Sequence, residues 1–135
     1  MLALPLRLLP GQDLRAALQT VLLEHGLAAA FVVQGIGSLS VAQLRLAGAS
    51  QATTLRGDLE ILTLAGTLSP DGAHLHMALA DAQGRVTGGH VGAGCIVRTT
   101  AEILLALLPE QRFSRRPDPT TGFAELAIAA RAAPP

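Results

Sequence analysis

Residues 58–80, DLEILTLAGTLSPDGAHLHMALA, decide the fold of this chain. The alternating first half predicts a strand over 58–68, one face of which carries Leu59, Ile61, Thr63 and Ala65. The Ser-Pro-Asp-Gly sequence at 69–72 is typical of a tight turn, which returns the chain as an antiparallel strand. This stretch therefore predicts a long β-hairpin.

The returning strand carries a His-Leu-His motif. His74 and His76 point to the same face because side chains alternate along a strand. A further turn at 81–84 predicts a third strand that brings His90 alongside them.

Three neutral imidazoles around one point, with a fourth position open, are a common way to hold a zinc-like divalent ion. Hydrogen bonding within the sheet or at a subunit boundary is the alternative. We favour a metal site with zinc as the expected ion, although imidazole also suits copper, nickel and iron.

The segments around this hairpin predict one helix and several short strands. Asp13 is expected to cap a helix that runs to about His25, and Gly26 follows as a stop signal. Further strands are predicted at residues 4–9, 28–36, 41–46, 51–56, 85–90, 95–99, 111–114 and 124–129. A turn is predicted at 35–38 and a loop at 115–118, while 101–108 could be helix or strand. This order predicts an α+β domain with a mainly antiparallel sheet and one N-terminal helix.

Length and composition restrict the class of protein. The 135 residues fit a single compact domain, with 4–130 as its ordered core and 131–135 as a frayed tail. Half of the residues are apolar and only 15% are charged, which predicts a homo-oligomer. The ten basic residues are all arginine and are balanced by ten acids, which disfavours strong autonomous nucleic-acid binding.

The location is predicted from cysteine usage and from the lengths of the apolar segments. Cys95 is the single cysteine, which fits a reducing compartment. No segment has the pattern of a signal peptide or the length of a membrane span. We therefore expect a cytoplasmic protein that has no membrane partner.

Ordered motifs along most of the chain resemble one known family. They are RLLPG at 7–11, GIGSL at 35–39, GDLEIL at 57–62, GAHLH at 72–76, GGH at 88–90 and TTAE at 99–102. Through these motifs the chain is identified as a member of the PPC (plant and prokaryote conserved) domain family, also called DUF296, and as a stand-alone prokaryotic member. Leu59 departs from the family's Gly-x-Phe-Glu-Ile-Leu element, where phenylalanine is usual.

The resemblance implies an assembly, a metal site and a partner. Family members form a compact α+β domain that assembles as a homotrimer, and prokaryotic members can carry a metal at the positions of His74, His76 and His90. In land plants the domain follows AT-hook motifs in nuclear DNA-binding proteins, which implies a DNA-binding or regulatory role. The nearest string here, SRRP at 114–117, lacks the central glycine of an AT-hook, so any DNA binding would proceed without a hook. The fold is also similar to that of acetolactate decarboxylase, a zinc enzyme that uses three histidines.

Two other functions stay open beside this binding or regulatory role. A small zinc enzyme, a hydrolase or lyase acting on a carbonyl or carboxylate metabolite, would need a general acid or base and an anion clamp. Glu60 and Glu102 are the candidates for the first task and Arg45 for the second. All three can equally be ordinary solvated groups, so we favour a role without catalysis. A small-molecule ligand bound at the metal is compatible with that role. The other function is a trimeric protein-interaction module that presents residues 57–62. The sequence predicts no organic cofactor, because the glycines at 35–37 lack the rest of a dinucleotide fingerprint.

Overall fold

A computed structural model describes residues 1–131, in which one helix packs on a six-stranded antiparallel sheet and a two-stranded hairpin follows. In chain order the elements are β1 (Leu2–Leu8), α1 (Leu14–Glu24), β2 (Ala30–Arg45), β3 (Thr53–Ser69), β4 (Gly72–Ala80), β5 (Val86–Val91), β6 (Ile96–Leu107), β7 (Gln111–Pro117) and β8 (Ala124–Ala130). The sheet order is β1-β6-β2-β3-β4-β5, and β7 pairs with β8. The predicted α+β class is confirmed, whereas the predicted frayed tail lies outside the described residues from 132 onward.

Helix α1 begins where the sequence predicts it. Asp13 is the N-cap, and its Oδ1 accepts a hydrogen bond from the Ala16 N–H at 2.9 Å. Three leucines at helical spacing are fully buried against the sheet: Leu14, Leu18 and Leu22. The helix ends at Glu24, His25 is its C-cap, and Gly26 after it takes a φ of 61°. Among the described residues, no helix is long and apolar enough to cross a membrane.

Strands β2, β3 and β6 each join segments that the sequence predicts as separate. Residues 28–36 and 41–46 belong largely to one strand, and the turn predicted at 35–38 is wrong. Gly37 sits inside β2 with a φ of 144°, and a Cβ added there would collide with the Thr100 backbone of β6. The absence of a side chain at Gly37 therefore lets β2 and β6 lie close together. The undecided segment 101–108 is strand up to Leu107.

A bulge changes the face of β3 halfway along its length. The pairing with β4 shifts by one residue between Ile61 and Thr63. Leu59 and Ile61 are buried as predicted, but Leu64 takes the next core position and leaves Thr63 and Ala65 exposed. The prediction that all four alternating residues share one face is wrong beyond Ile61, because an extra residue reverses the alternation.

The sheet curls until its edge strand β5 also pairs with the end of β2. In this arrangement His90 of β5 lies opposite His76 of β4 on one side and opposite Arg45 of β2 on the other. The core face of β4 carries Ala73, Leu75, Met77 and Leu79. The histidines of β4 therefore point away from the core.

Strands β7 and β8 form a hairpin that lies against β3. Phe113 is buried and packs edge-to-face on Phe31, with the ring centroids 5.4 Å apart. Arg115 binds the β3–β4 region twice: its backbone N–H donates to Asp71 Oδ2 at 2.8 Å, and its guanidinium donates to the Thr67 hydroxyl at 2.8 Å. Residues 115–117 belong to β7, so the loop predicted at 115–118 is wrong for these three positions.

Candidate metal centre

His74, His76 and His90 form a histidine cluster on β4 and β5. The Nε2 atoms of His74 and His76 are 3.1 Å apart. The three pairs of ring centroids are separated by 5.1, 5.1 and 5.5 Å. One nitrogen from each ring lies within 4.8 Å of the others. The predicted convergence of the three imidazoles is present in the structure.

Two local features of the sequence produce this cluster. Strand alternation places His74 and His76 on one face, and the β4–β5 register sets His90 opposite His76. The paired glycines before His90 let β5 lie close to its neighbours, since a Cβ on Gly89 would meet the Arg45 carbonyl at 2.7 Å. A Cβ on Gly88 would lie 3.2 Å from the Met77 carbonyl on the other side. The cluster therefore depends on small residues in β5 as well as on the imidazoles.

The donor set fits a divalent ion. Two nitrogens bound to one tetrahedral zinc at its usual bond length lie about 3.3 Å apart, close to the observed separation between His74 and His76. His90 Nδ1 is buried and has no hydrogen-bond partner within residues 1–131. An unsatisfied buried nitrogen is costly, and a metal ion bound through that atom would satisfy it. A direct hydrogen bond between His74 and His76 is the other explanation of the short contact, but it leaves His90 without a partner.

Burial and neighbouring positive charges favour the neutral imidazole at His74 and His90. Burial, followed by the charges of His74 and Arg45, lowers the pKa of His90 to about 4. Burial and then Arg115 lower the pKa of His74, with Glu125 acting in the opposite direction. Neutral imidazole is the form that binds metal ions.

A cavity of about 800 Å³ opens beside the cluster, and we call it the histidine cavity. His74 and His90 line it, together with five charged residues: Arg15, Arg45, Arg115, Asp71 and Glu125. Small residues and Phe123 complete its wall. Its size is typical of sites that hold small molecules.

One of the three candidate catalytic residues reaches this cavity. Arg45 lines it, but Glu60 and Glu102 do not. Glu60 pairs with Ala80 at the far end of β4 from His74. Glu102 lines a separate groove on β1, β2 and β6. The carboxylates beside the histidines are instead those of Asp71 and Glu125.

Local sequence patterns did not indicate four charged members of the site: Arg15, Asp71, Arg115 and Glu125. Arg15 comes from α1, and its guanidinium donates to the Ala73 carbonyl at 2.9 Å across 58 residues of sequence. Arg115 and Glu125 come from the β7–β8 hairpin. In the sequence, only the Arg-Arg pair at 115–116 marks this hairpin as a source of positive charge. The packing of the hairpin against distant elements determines that Arg115 faces the cavity.

Several known proteins share this fold. The family model of the Plants and Prokaryotes Conserved (PCC) domain matches residues 2–109. A hypothetical protein from Salmonella cholerae-suis is 41% identical, covers 97% of this chain and 95% of its own, and superposes with a TM-score of 0.93. A metal-containing protein from Archaeoglobus fulgidus is 28% identical over 94% of each chain, with a TM-score of 0.76. A protein from Bacteroides thetaiotaomicron, named as a candidate DNA-binding protein, is 22% identical over 93% of this chain and 91% of its own. Its TM-score is 0.81, and at this identity the likeness shows the fold alone.

The curated relatives are much longer proteins. The protein named "Bifunctional protein GlmU" from Synechococcus sp. (strain JA-3-3Ab) is 56% identical over 133 residues. This match covers 97% of the present chain and 21% of that protein. The chain thus spans about a fifth of the length of the curated relatives it matches.

Proposed function

Because the chain belongs to the Plants and Prokaryotes Conserved (PCC or PPC) domain family, we propose that it is a metal-binding domain whose histidine cluster holds one divalent ion. The observation that carries this proposal is the meeting of three imidazoles around one point, with His90 Nδ1 buried and unpartnered within residues 1–131. Three nitrogen donors with a fourth position open suit zinc, which is the ion we propose. A relative described as metal-containing, from Archaeoglobus fulgidus, supports the same assignment.

The role that we propose is binding or regulatory. A divalent ion with an open position would polarise an oxygen-bearing ligand placed in the histidine cavity. Arg45 lies directly across the strand pair from His90 and can orient such a ligand. We prefer this role to catalysis because Glu60 and Glu102, which could act as acid or base, do not line the cavity. The single, buried Cys95 suits a reducing compartment, and we propose a cytoplasmic location.

Metal analysis tests the centre directly. The purified protein, incubated with zinc and then desalted, should contain about one zinc per chain by elemental analysis, and the His74→Ala/His76→Ala variant should contain almost none. His25→Ala is the matched control, because this histidine caps α1 away from the cluster and its loss should leave the metal content unchanged. Equal, sub-stoichiometric zinc in all three proteins would show that the assignment is wrong.

We also propose that the domain acts as a homotrimer, as the family resemblance implies. Exposed apolar residues on the sheet support self-association, among them Ile36 and Leu104, which line one groove with Pro5. A surface of this kind in a chain with only 15% charged residues is typical of a subunit contact.

DNA is the macromolecular partner suggested by the names of solved relatives. Two structures of this fold belong to candidate DNA-binding proteins, at 22% and 24% identity. The balanced charge of this chain argues for weak binding at most. A gel shift at low salt that weakens steeply as salt rises would support the DNA-binding role. The absence of any shift at low salt would remove it.

Glu125 favours the zinc enzyme as a second candidate function. This carboxylate lines the histidine cavity and influences His74, so a proton-transferring group is available beside the proposed ion. Hydrolase or lyase turnover that Glu125→Gln abolishes while the metal content stays constant would establish the enzyme. Retention of metal binding without turnover would favour the regulatory role.

The interaction module remains a proposal that depends on residues 57–62. In this segment Leu59 and Ile61 are buried, whereas Leu62 is exposed and available to a protein partner. A Leu62→Asp variant that keeps its metal and its oligomeric state but loses a partner would support the module.

A further inference from the structure

We propose that the histidine cavity binds a small organic molecule through a carboxylate or phosphate group. The guanidinium groups of Arg15, Arg45 and Arg115 would donate hydrogen bonds to this group. This inference rests on the proposed metal centre in one respect, namely that the open position of the ion would take an oxygen of the same group. The arginines themselves are features of the chain with or without metal.

The three arginines approach the histidines from three separate elements. Arg15 lies in the first turn of α1, Arg45 ends β2 and Arg115 lies in β7. Arg45 is the cross-strand neighbour of His90, and Arg115 is tied to Thr67, which pairs with His74. Three elements that are far apart in sequence thus place positive charges around one cavity.

None of these guanidinium groups is neutralised by a carboxylate. The ion pairs within residues 1–131 join Arg85 to Asp81 and Arg98 to Asp58, and they leave out all three arginines of the cavity. Arg15 donates to the Ala73 carbonyl, Arg115 to the Thr67 hydroxyl, and Arg45 only weakly to the Ala49 carbonyl at 3.4 Å. Each guanidinium therefore has donors left for a ligand.

The acids of the cavity offset only part of this charge. Asp71 is already engaged, because its Oδ2 accepts the Arg115 backbone N–H at 2.8 Å. With Glu125, the cavity holds two carboxylates against three guanidiniums, before any divalent ion is counted. Three guanidinium groups around one cavity repel one another. An anionic ligand would relieve this repulsion.

The shape and the remaining wall of the cavity indicate a small organic anion. A volume of about 800 Å³ suits a metabolite, and the concave arrangement of charges does not suit the extended backbone of DNA. Ala49, Ala124 and Phe123 supply apolar surface beside the charged groups. Guanidinium forks match the geometry of carboxylates and phosphates.

A panel of probes with one common ring tests the inference. Benzoate and phenylphosphonate carry the two candidate groups, and benzamide is the uncharged comparison. We expect at least one anion to bind the zinc-incubated protein in isothermal titration calorimetry, and benzamide to bind at least tenfold more weakly. The preferred anion distinguishes a carboxylate from a phosphate ligand. Arg45→Gln should weaken its binding about tenfold, which corresponds to about 1.4 kcal/mol.

The matched control is Arg56→Gln, which removes the same charge from β3 outside the cavity lining and should leave affinity unchanged. Equal binding of benzamide and the anions, equal losses in the two variants, or no anion binding by a protein with full zinc content would overturn the inference. Elemental analysis of the same samples separates it from the metal proposal. If the zinc-incubated protein retains no zinc but still shows arginine-dependent anion binding, the metal centre is removed and the anion site stands.

Discussion

Asp13 joins helix α1 to the connection between β5 and β6 through both of its carboxylate oxygens. Oδ1 caps the helix at the Ala16 N–H, and Oδ2 accepts the Gly94 N–H at 2.6 Å. We expect Asp13→Ala to lower the free energy of unfolding by about 2 kcal/mol, because a cap and a charge-assisted bond are lost together. Urea denaturation measures this change. Asp13→Asn keeps the capping oxygen and should cost less; equal costs would show that the cap contributes little.

Cys95 is buried, and its burial raises the pKa of the thiol above its usual range. The folded thiol stays protonated where the thiol of the unfolded chain ionises. Its contribution to stability is therefore complete below the ordinary thiol pKa and is lost as pH rises through the raised value. We expect Ellman's reagent to modify Cys95 at pH 8 only after unfolding. Rapid labelling of the folded protein would contradict this burial.

The pH effect of the same thiol has a matched control. Urea denaturation of the wild-type protein should show a loss of stability between pH 7 and pH 10 that is larger than the loss for Cys95→Ala. Since alanine cannot ionise, the difference between the two slopes isolates the thiol. Identical slopes would show that ionisation of Cys95 does not affect folding.

Individual residues of the site differ in how far the sequence predicts them. His74 and His76 follow from strand alternation, which is a local rule. Arg15 and Glu125 do not, because α1 and β8 reach the cavity only through the tertiary arrangement. Local patterns therefore predict the imidazoles, whereas the charges that select a ligand depend on packing between distant elements.

At the scale of elements, Gly66 marks a close approach between β3 and β4. It lies opposite Leu75, between the two histidines of β4, with a φ of 152°. An added Cβ would collide with the His74 carbonyl. We expect Gly66→Ala to lower the free energy of unfolding by more than about 2 kcal/mol and to reduce zinc binding, because β4 must move. Urea denaturation and elemental analysis measure the two effects.

Gly57→Ala is the control for this prediction. Gly57 also has a positive φ, 123°, and lies in the same strand, but an added Cβ there would meet open space. Alanine at position 57 would have the same backbone strain as alanine at position 66 but would not collide with a neighbouring strand. The zinc content of Gly57→Ala should therefore stay unchanged. If the two variants lose stability and zinc equally, the close approach at Gly66 does not position the histidines.

Strand boundaries are less predictable than strand identity. The pattern identifies most of the segments that become β2, β3 and β6, but it divides each of them because glycines and a change of phase resemble turns. Gly37 permits contact with Thr100, and the bulge after Ile61 reverses the exposed face of β3. Both features depend on a partner strand, which a local pattern does not contain.

At the scale of the whole molecule, the exposed apolar surface lies mainly away from α1. Ile36 is 50% exposed and lines a groove with Pro5 and Leu104. If three copies cover this groove, the wild-type protein should elute with three times the 13.9 kDa chain mass in light scattering after size-exclusion chromatography. Ile36→Glu should shift it towards the single-chain mass, because a buried, unpaired charge is costly. Leu23→Glu is the control, since Leu23 is 57% exposed on the outer side of α1. A monomeric wild type, or the same shift in both variants, would show that this groove is not the subunit contact.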